Sequence, residues 1–182
     1  MKEGTAFTVP QKEEEKSLPE KSSGFLKEGE SGSGEETGKD IFSSLLLRWF
    51  SLHGRDLPWR EEPSPYHVWL SEVMLQQTRV EAVKGYYRLF LSSLPDIPAL
   101  AAAEEELVLK LWEGLGYYSR ARNLQKGARL LVSQYGGKLP ENAKELRGIP
   151  GIGDYTAAAI ASIAFKERIP AVDGNLLRIF SR

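Results

Sequence analysis

LRGIPGIGDYTAAAIASIAFKERIPAVDGN, residues 146 to 175, decides the reading of this chain. A Pro- and Gly-rich reversal, Gly148 to Gly153, lies between two helical patterns, and a lone carboxylate, Asp173, follows the second. Pro150 ends the first helix, and Gly151 and Gly153 can take the backbone angles of a tight reversal. The next helix begins at once, so its free N–H groups point out of the reversal and can cradle a phosphate oxygen, aided by the helix dipole. An ordinary corner between two helices has the same outline. The small residues Thr156, Ala157, Ala158, Ala159 and Ala161 favour a helix-hairpin-helix, because they let two helices approach closely. Asp173 follows an extended apolar bit and precedes a helical pattern, so it reads as an N-cap. A carboxylate bonded to backbone N–H groups stays ionised, and such a group can stabilise a cationic sugar.

The rest of the ordered pattern is helical too. Asp40 reads as a cap before IFSSLLLRWFSLHG, which Gly54 stops, and GRDLPWREEPS reads as a loop. Ser64 caps PYHVWLSEVMLQQTRV with Pro65 at its first position. EAVKGYYRLFLSSL, AEEELVLKLWEGLG, YSRARNLQKGARLLVSQYGG and ENAKELRG follow, each with apolar spacing of three and four. The expected class is all-α, short helices joined by short loops.

Charge is unevenly spread. Residues 1–40 hold six Lys against ten Asp and Glu, and residues 41–182 hold 18 Lys and Arg against 15 acids. The first segment is rich in Lys, Glu, Gly and Ser and too poor in large apolar residues to offset its ordering entropy, so it is expected to be a disordered acidic tail and linker. From Gly114 to Pro140 there are five cations and no acid: Arg120, Arg122, Lys126, Arg129 and Lys138. Such a stripe fits a phosphate-facing surface or a solvated helix face. The chain has no cysteine, which excludes disulfides and Cys-ligated metals within it, so no metal site is expected here. No apolar run approaches the ~18 residues of a membrane span, and the N-terminus lacks a secretory apolar region. The expected setting is intracellular, in cytoplasm and on the nucleoid.

Two further motifs carry chemistry. In SEVMLQQT, Glu72 shares a helix face with Val68 and Leu75, with Arg79 one turn on. A carboxyl in a partly apolar stripe holds its proton to higher pH and suits a general acid; a Glu at the stripe's edge would simply reach water. Gln76, Gln77 and Thr78 are neutral hydrogen-bonding side chains, able to read bases or fill a vacated space in a duplex. In GLGYYSRARNL, Gly114 and Gly116 break a helix and present Leu115, Tyr117 and Tyr118 beside cations, a composition suited to wedging into a base stack. Packing of the tyrosines in the core is the alternative.

With these motifs together, residues 41–182 resemble the N-terminal part of the MutY family of adenine DNA glycosylases, in the helix-hairpin-helix superfamily that also holds endonuclease III. The matching stretches are LPWR (57–60), PYHVWLSEVMLQQTRV (65–80), LWEGLGYYSRARNL (111–124), IPGIGDYTAAAI (149–160) and VDGN (172–175). The resemblance implies a six-helix barrel, residues 57–170, with the helix-hairpin-helix at 141–166. Residues 41–56 would be the N-terminal helix of a second lobe, and 171–182 the start of the return to it. It implies a monomer that removes adenine mispaired with 8-oxoguanine or guanine in double-stranded DNA. Glu72 would protonate adenine and later activate water, Asp173 would stabilise the sugar, and Tyr155 and Asn175 would support the two carboxylates. Gln77, Thr78, Leu115 and Tyr117 would fill or wedge the duplex. Gly151, Gly153, Arg120 and Arg122 would meet DNA, and Arg55, Trp59 and Arg60 would lie near the adenine pocket. In endonuclease III a Schiff-base Lys sits where this chain has Tyr155, so a glycosylase without lyase activity is implied. The family's [4Fe-4S] cluster loop and its 8-oxoguanine-reading domain would lie beyond Arg182. This implies a fragment of a longer protein, less stable than its parent and poorly active alone.

Overall fold

A computed structural model describes residues 38–182, with side chains from residue 41 onward. The tail and linker expected over 1–40 lie outside this range but for the first turn of a helix. The chain divides into two compact units, Met1–Phe50 and Ser51–Arg182. The described part of the first unit belongs to α1, Gly38–His53, which stops one residue before Gly54. Its residues Ile41, Phe42, Leu45, Leu46 and Leu47 are exposed.

The second unit is built from nine short helices, and no strand occurs among the described residues. In order these are α2 (Pro58–Glu61), α3 (Pro65–Leu75), α4 (Val80–Ser93), α5 (Ile97–Ala102) and α6 (Glu105–Leu111), then α7 (Ser119–Tyr135), α8 (Ala143–Leu146), α9 (Asp154–Phe165) and α10 (Gly174–Phe180). The fold is all-α. Two elements differ from the sequence reading: α2 lies inside the supposed loop GRDLPWREEPS, and α5 is an extra turn that Asp96 caps through the Ala99 N–H at 2.7 Å. Both open with Pro in their first turn, a position that costs no hydrogen bond.

α3 is the centre. Tyr66, Val68, Trp69, Leu70, Ser71, Val73 and Met74 are all buried, so the helix is apolar nearly all round and other helices must surround it. α9 lies against it through Thr156, Ala157, Ala158, Ala159, Ile160 and Ala161, whose small side chains permit the close approach. α4 and α7 are amphipathic: α4 buries Val83, Tyr87 and Phe90, and α7 buries Ala121, Leu124, Ala128 and Leu131. Gly127 lets α7 approach the hairpin, since a Cβ there would lie 2.9 Å from Ile149 and 3.0 Å from Trp69. The buried Trp69, Trp112 and Phe90 anchor the unit; truncating a buried Trp to Ala costs about 3–5 kcal/mol.

The expected helix over 65–80 breaks sooner than its pattern suggests. It ends at Leu75, and residues 76–79 form a turn before α4, with Gln77 at φ 57°. Arg79 therefore leaves the face that carries Glu72.

Candidate active site

Two carboxylates from different helices act on one tyrosine. Glu72 stands on α3, half-buried in the apolar interior just described. Tyr155 stands in the first turn of α9, where the packing of α9 on α3 brings its hydroxyl to donate to the Glu72 carboxylate. Asp173 is the N-cap of α10, and its charge acts on the same tyrosine. Burial pushes the Glu72 carboxyl up from its ordinary value near 4.5, and the Tyr155 hydrogen bond pulls it partly back. Tyr155 itself is pushed up to about 12, first by burial and then by the negative charges of Glu72 and Asp173.

Asp173 has the opposite environment. One carboxylate oxygen accepts from the Leu176 N–H at 2.8 Å and the Asn175 N–H at 3.1 Å. The other accepts from the Asn175 side-chain amide at 2.9 Å. These bonds, the one from Leu176 foremost, and the nearby Arg178 guanidinium hold the carboxyl below its ordinary value near 3.8. Arg178 also donates to the Asn175 side-chain Oδ1 and so orients that amide. Arg178 was missing from the sequence reading, although its spacing of three from Asn175 on a helix was the signal for it. A carboxyl pushed up and a carboxyl pushed down thus both act on one tyrosine.

The hairpin lies next to this cluster along the chain. The Ile149 and Ile152 N–H groups close it by donating to Leu146 and Ile149 carbonyls at 3.1 and 3.0 Å. Gly151 has φ +83°, and a Cβ there would meet the Asn123 Cβ at 2.9 Å, so both conformation and space demand glycine. Gly153 has φ −87° with open space around it; its role is to begin α9 without a capping side chain. The first N–H groups of α9 therefore receive no side-chain cap. Arg147 Nε pairs with Asp154 Oδ1 at 2.7 Å across the hairpin.

Residues 70–182 match the model of the HhH-GPD superfamily of base excision DNA repair proteins. The chain belongs to this superfamily. Among its relatives, the adenine DNA glycosylases of Mus musculus and Rattus norvegicus are 50% and 47% identical over 150 residues, 78% of this chain in each case. The chain spans only 29% of the length of either. Among solved structures, a thermostable thymine-DNA glycosylase is 30% identical with a TM-score of 0.74, covering 79% of this chain and 67% of its own. The helix-hairpin-helix glycosylase fold expected from the sequence is the one observed.

Within that superfamily fold, two of the residues expected at the DNA, Arg120 and Leu115, are buried. Arg120 faces inward and is 9% exposed; its guanidinium is consumed by carbonyls and the Thr78 hydroxyl. Leu115, expected as a wedge, is 6% exposed and belongs to the core, because its turn folds back under Trp112. Tyr117, two residues on, is 63% exposed at φ 48° and takes the outward place. Gln77 is likewise exposed, and Thr78 is half-buried. Arg122 pairs through Nε with Glu105 at 2.9 Å, and Arg129 donates to the Ala101 and Ala103 carbonyls at the end of α5. The supposed basic stripe is thus three structural cations, with Lys126 and Lys138 exposed beside them. Trp59 is buried edge-on against Tyr87 at 5.5 Å between ring centroids. Arg55 and Arg60 are exposed, with Arg60 donating to the Arg55 carbonyl at 3.0 Å.

The iron–sulfur cluster implied by the resemblance does not fit these residues. The chain contains no cysteine, and no group of three or more potential ligands occurs among the described residues. No helix among them is long and apolar enough to cross a membrane.

Proposed function

We propose that this chain carries the catalytic groups of a monofunctional DNA glycosylase that hydrolyses the N-glycosidic bond of adenine opposite 8-oxoguanine or guanine in double-stranded DNA. The observation that carries this is the pair Glu72 and Asp173, set in opposite environments around Tyr155. Identities of 50% and 47% over 78% of this chain to adenine DNA glycosylases support the choice of base.

The glycosidic bond is hidden in a duplex, so adenine must first be flipped out. Glu72, whose carboxyl burial pushes up from its ordinary value, delivers a proton to the departing adenine and makes it a neutral leaving group. Positive charge develops on the sugar as the bond breaks. Asp173 stays ionised because Leu176 and Asn175 stabilise its charged form, and it supports that sugar. Glu72, now a carboxylate accepting from Tyr155, draws a proton from the incoming water. The division of labour is that of the two carboxylates of sugar hydrolases. The hairpin, with Gly151 in its turn and Gly153 opening α9, holds a phosphate with backbone N–H groups, independent of sequence. Gln77, Thr78 and Tyr117 occupy the space around the displaced base.

An endonuclease III-like lyase would need an amine beside the sugar. Tyr155 supplies none, and Lys166 lies at the far end of α9, where its Nζ donates to the Ile163 carbonyl at 2.9 Å. A module that only binds DNA would explain the hairpin but not the carboxyl pair.

The intact gene product is to be assayed for adenine release from duplexes carrying A opposite 8-oxoguanine, G and T. Release from the first two and not the third is the expected result; no release from the first ends the proposal. Borohydride trapping of the protein on the same duplex would point to the lyase instead.

A further inference from the structure

The cation expected to face DNA is instead the best-connected side chain of the molecule. Arg120 Nη1 donates to the Val73 carbonyl at 3.0 Å, to the Met74 carbonyl at 2.9 Å and to the Gln76 carbonyl. Its Nη2 donates to Thr78 Oγ1, the Leu115 carbonyl and the Gly116 carbonyl, each at 3.2 Å. The guanidinium also lies 5.4 Å from the Trp112 ring centroid and 5.6 Å from that of Tyr117. None of these partners is a carboxylate. The charge is balanced by carbonyl dipoles, several of them the unsatisfied C-terminal carbonyls of α3, where a cation is favoured.

These acceptors belong to the end of α3 with the turn that follows it, and to a second turn nearly forty residues on. Each turn has one non-glycine residue in the left-handed region, Gln77 at φ 57° and Tyr117 at φ 48°, and both are exposed. Such conformations persist only where the surroundings over-determine them, and they cluster at functional sites. One planar fork grips the carbonyl before Gln77, the hydroxyl after it, and the carbonyl before Tyr117.

We propose that Arg120 is a positioning residue: it ties the Gln76–Thr78 turn to the Leu115–Tyr117 turn, so that Gln77 and Tyr117 enter the duplex as one rigid pair. This deepens the glycosylase reading and rests on it for the duplex; the coupling of the turns rests on the hydrogen bonds alone. A lysine cannot replace the arginine, because one ammonium reaches one point and cannot span two turns.

The test is Arg120→Lys in the intact gene product, read in two ways. In hydrogen exchange, peptides covering 74–80 and 113–119 should both lose protection by about tenfold or more, while those covering 124–134 and 156–164 should not change. With 2-aminopurine in place of adenine opposite 8-oxoguanine, the fluorescence gain on flipping should be largely lost. In a Gln77→Ala/Tyr117→Ala background, Arg120→Lys should add less than about a twofold further loss, because the three residues act as a unit. Loosening of one turn only, uniform loosening everywhere, or an undiminished effect in that background would each overturn the proposal. Should Arg120→Lys not fold, Thr78→Val removes one acceptor and no charge. It should then loosen the 113–119 peptide as well, and an unchanged peptide there counts against the coupling. A wild-type protein that releases no adenine defeats the glycosylase reading separately, since the exchange experiment needs no activity.

Discussion

Glu72 and Asp173 sit in two regions built on opposite principles. The Glu72 region is made by tertiary packing: α3 is surrounded, and its carboxyl is half-buried among helices that come from distant parts of the chain. The Asp173 region is made locally: every bond to its carboxylate comes from residues 175 and 176, and Arg178 completes the set. Packing raises one carboxyl and local hydrogen bonding lowers the other. The lesson is that two acids of similar intrinsic strength are separated by desolvation on one side and a helix N-terminus on the other.

The largest expected effect breaks the buried side of this contrast. Glu72→Gln should lower adenine release by about 10³-fold in single-turnover assays, the scale of a lost general acid. It should also raise the melting temperature at neutral pH. A carboxyl whose folded pKa is raised destabilises the fold once pH exceeds its unfolded value, and glutamine removes that cost. Lower melting temperature in this variant would contradict the buried-acid reading. On the local side, Asp173→Asn should lower release by about 10²-fold, the scale of a lost electrostatic stabiliser. Because asparagine caps a helix about as well as aspartate, α10 should survive, whereas Asp173→Ala should cost about 1 kcal/mol in denaturant titration as well. Equal activity loss with equal stability loss in both variants would reduce Asp173 to a cap.

Gly151→Ala tests the hairpin beside them. Its φ of +83° and the 2.9 Å approach to Asn123 predict a loss of about 1–3 kcal/mol in thermal or denaturant unfolding. Gly153→Ser, in open space at ordinary φ, should cost nothing in stability, yet its hydroxyl would compete for the α9 N–H groups and weaken duplex binding in a titration. The smallest effect is on the link between the carboxyls. Tyr155→Phe removes the bond that lowers the Glu72 pKa, so Glu72 stays protonated to higher pH. The alkaline limb of the single-turnover pH profile should move upward, with a rate change of about tenfold or less. The acid limb, set by protonation of Asp173 below its ordinary value, should move little. A downward shift of the alkaline limb would reverse the assigned direction.

How far each region could be read from the sequence follows from the same contrast. The Asp173 cap was legible because VDGN before a helical pattern is a local signal, and Asn175 lies within one turn of it. The hairpin was legible for the same reason, through Pro150 and Gly151. The fate of Arg120 and Arg122 was not. Both stand at the start of α7 in SRAR, and periodicity alone does not say that one points into the fold and the other toward Glu105. Leu115 and Tyr117, expected side by side on the outside, part company for a related reason: a Gly-flanked turn can present either residue, and the burial of Leu115 depends on where Trp112 and Arg120 sit. The end of α3 at Leu75 was also hidden, since LQQTRV is helix-compatible and the break is stabilised by Arg120, which bonds the Gln76 carbonyl from 44 residues downstream.

The sequence by itself determined the all-α class, the hairpin with its demanding glycine, and the capped carboxylate, because each depends on backbone conformations set by residues within a few positions. Only the tertiary structure decided that Glu72 and Asp173 both act on Tyr155, that a buried arginine joins two exposed turns, and that three of the five cations of the basic stripe bond within the fold. Those outcomes depend on desolvation and on which face of a helix is covered, and both are properties of neighbours that the chain brings from far away.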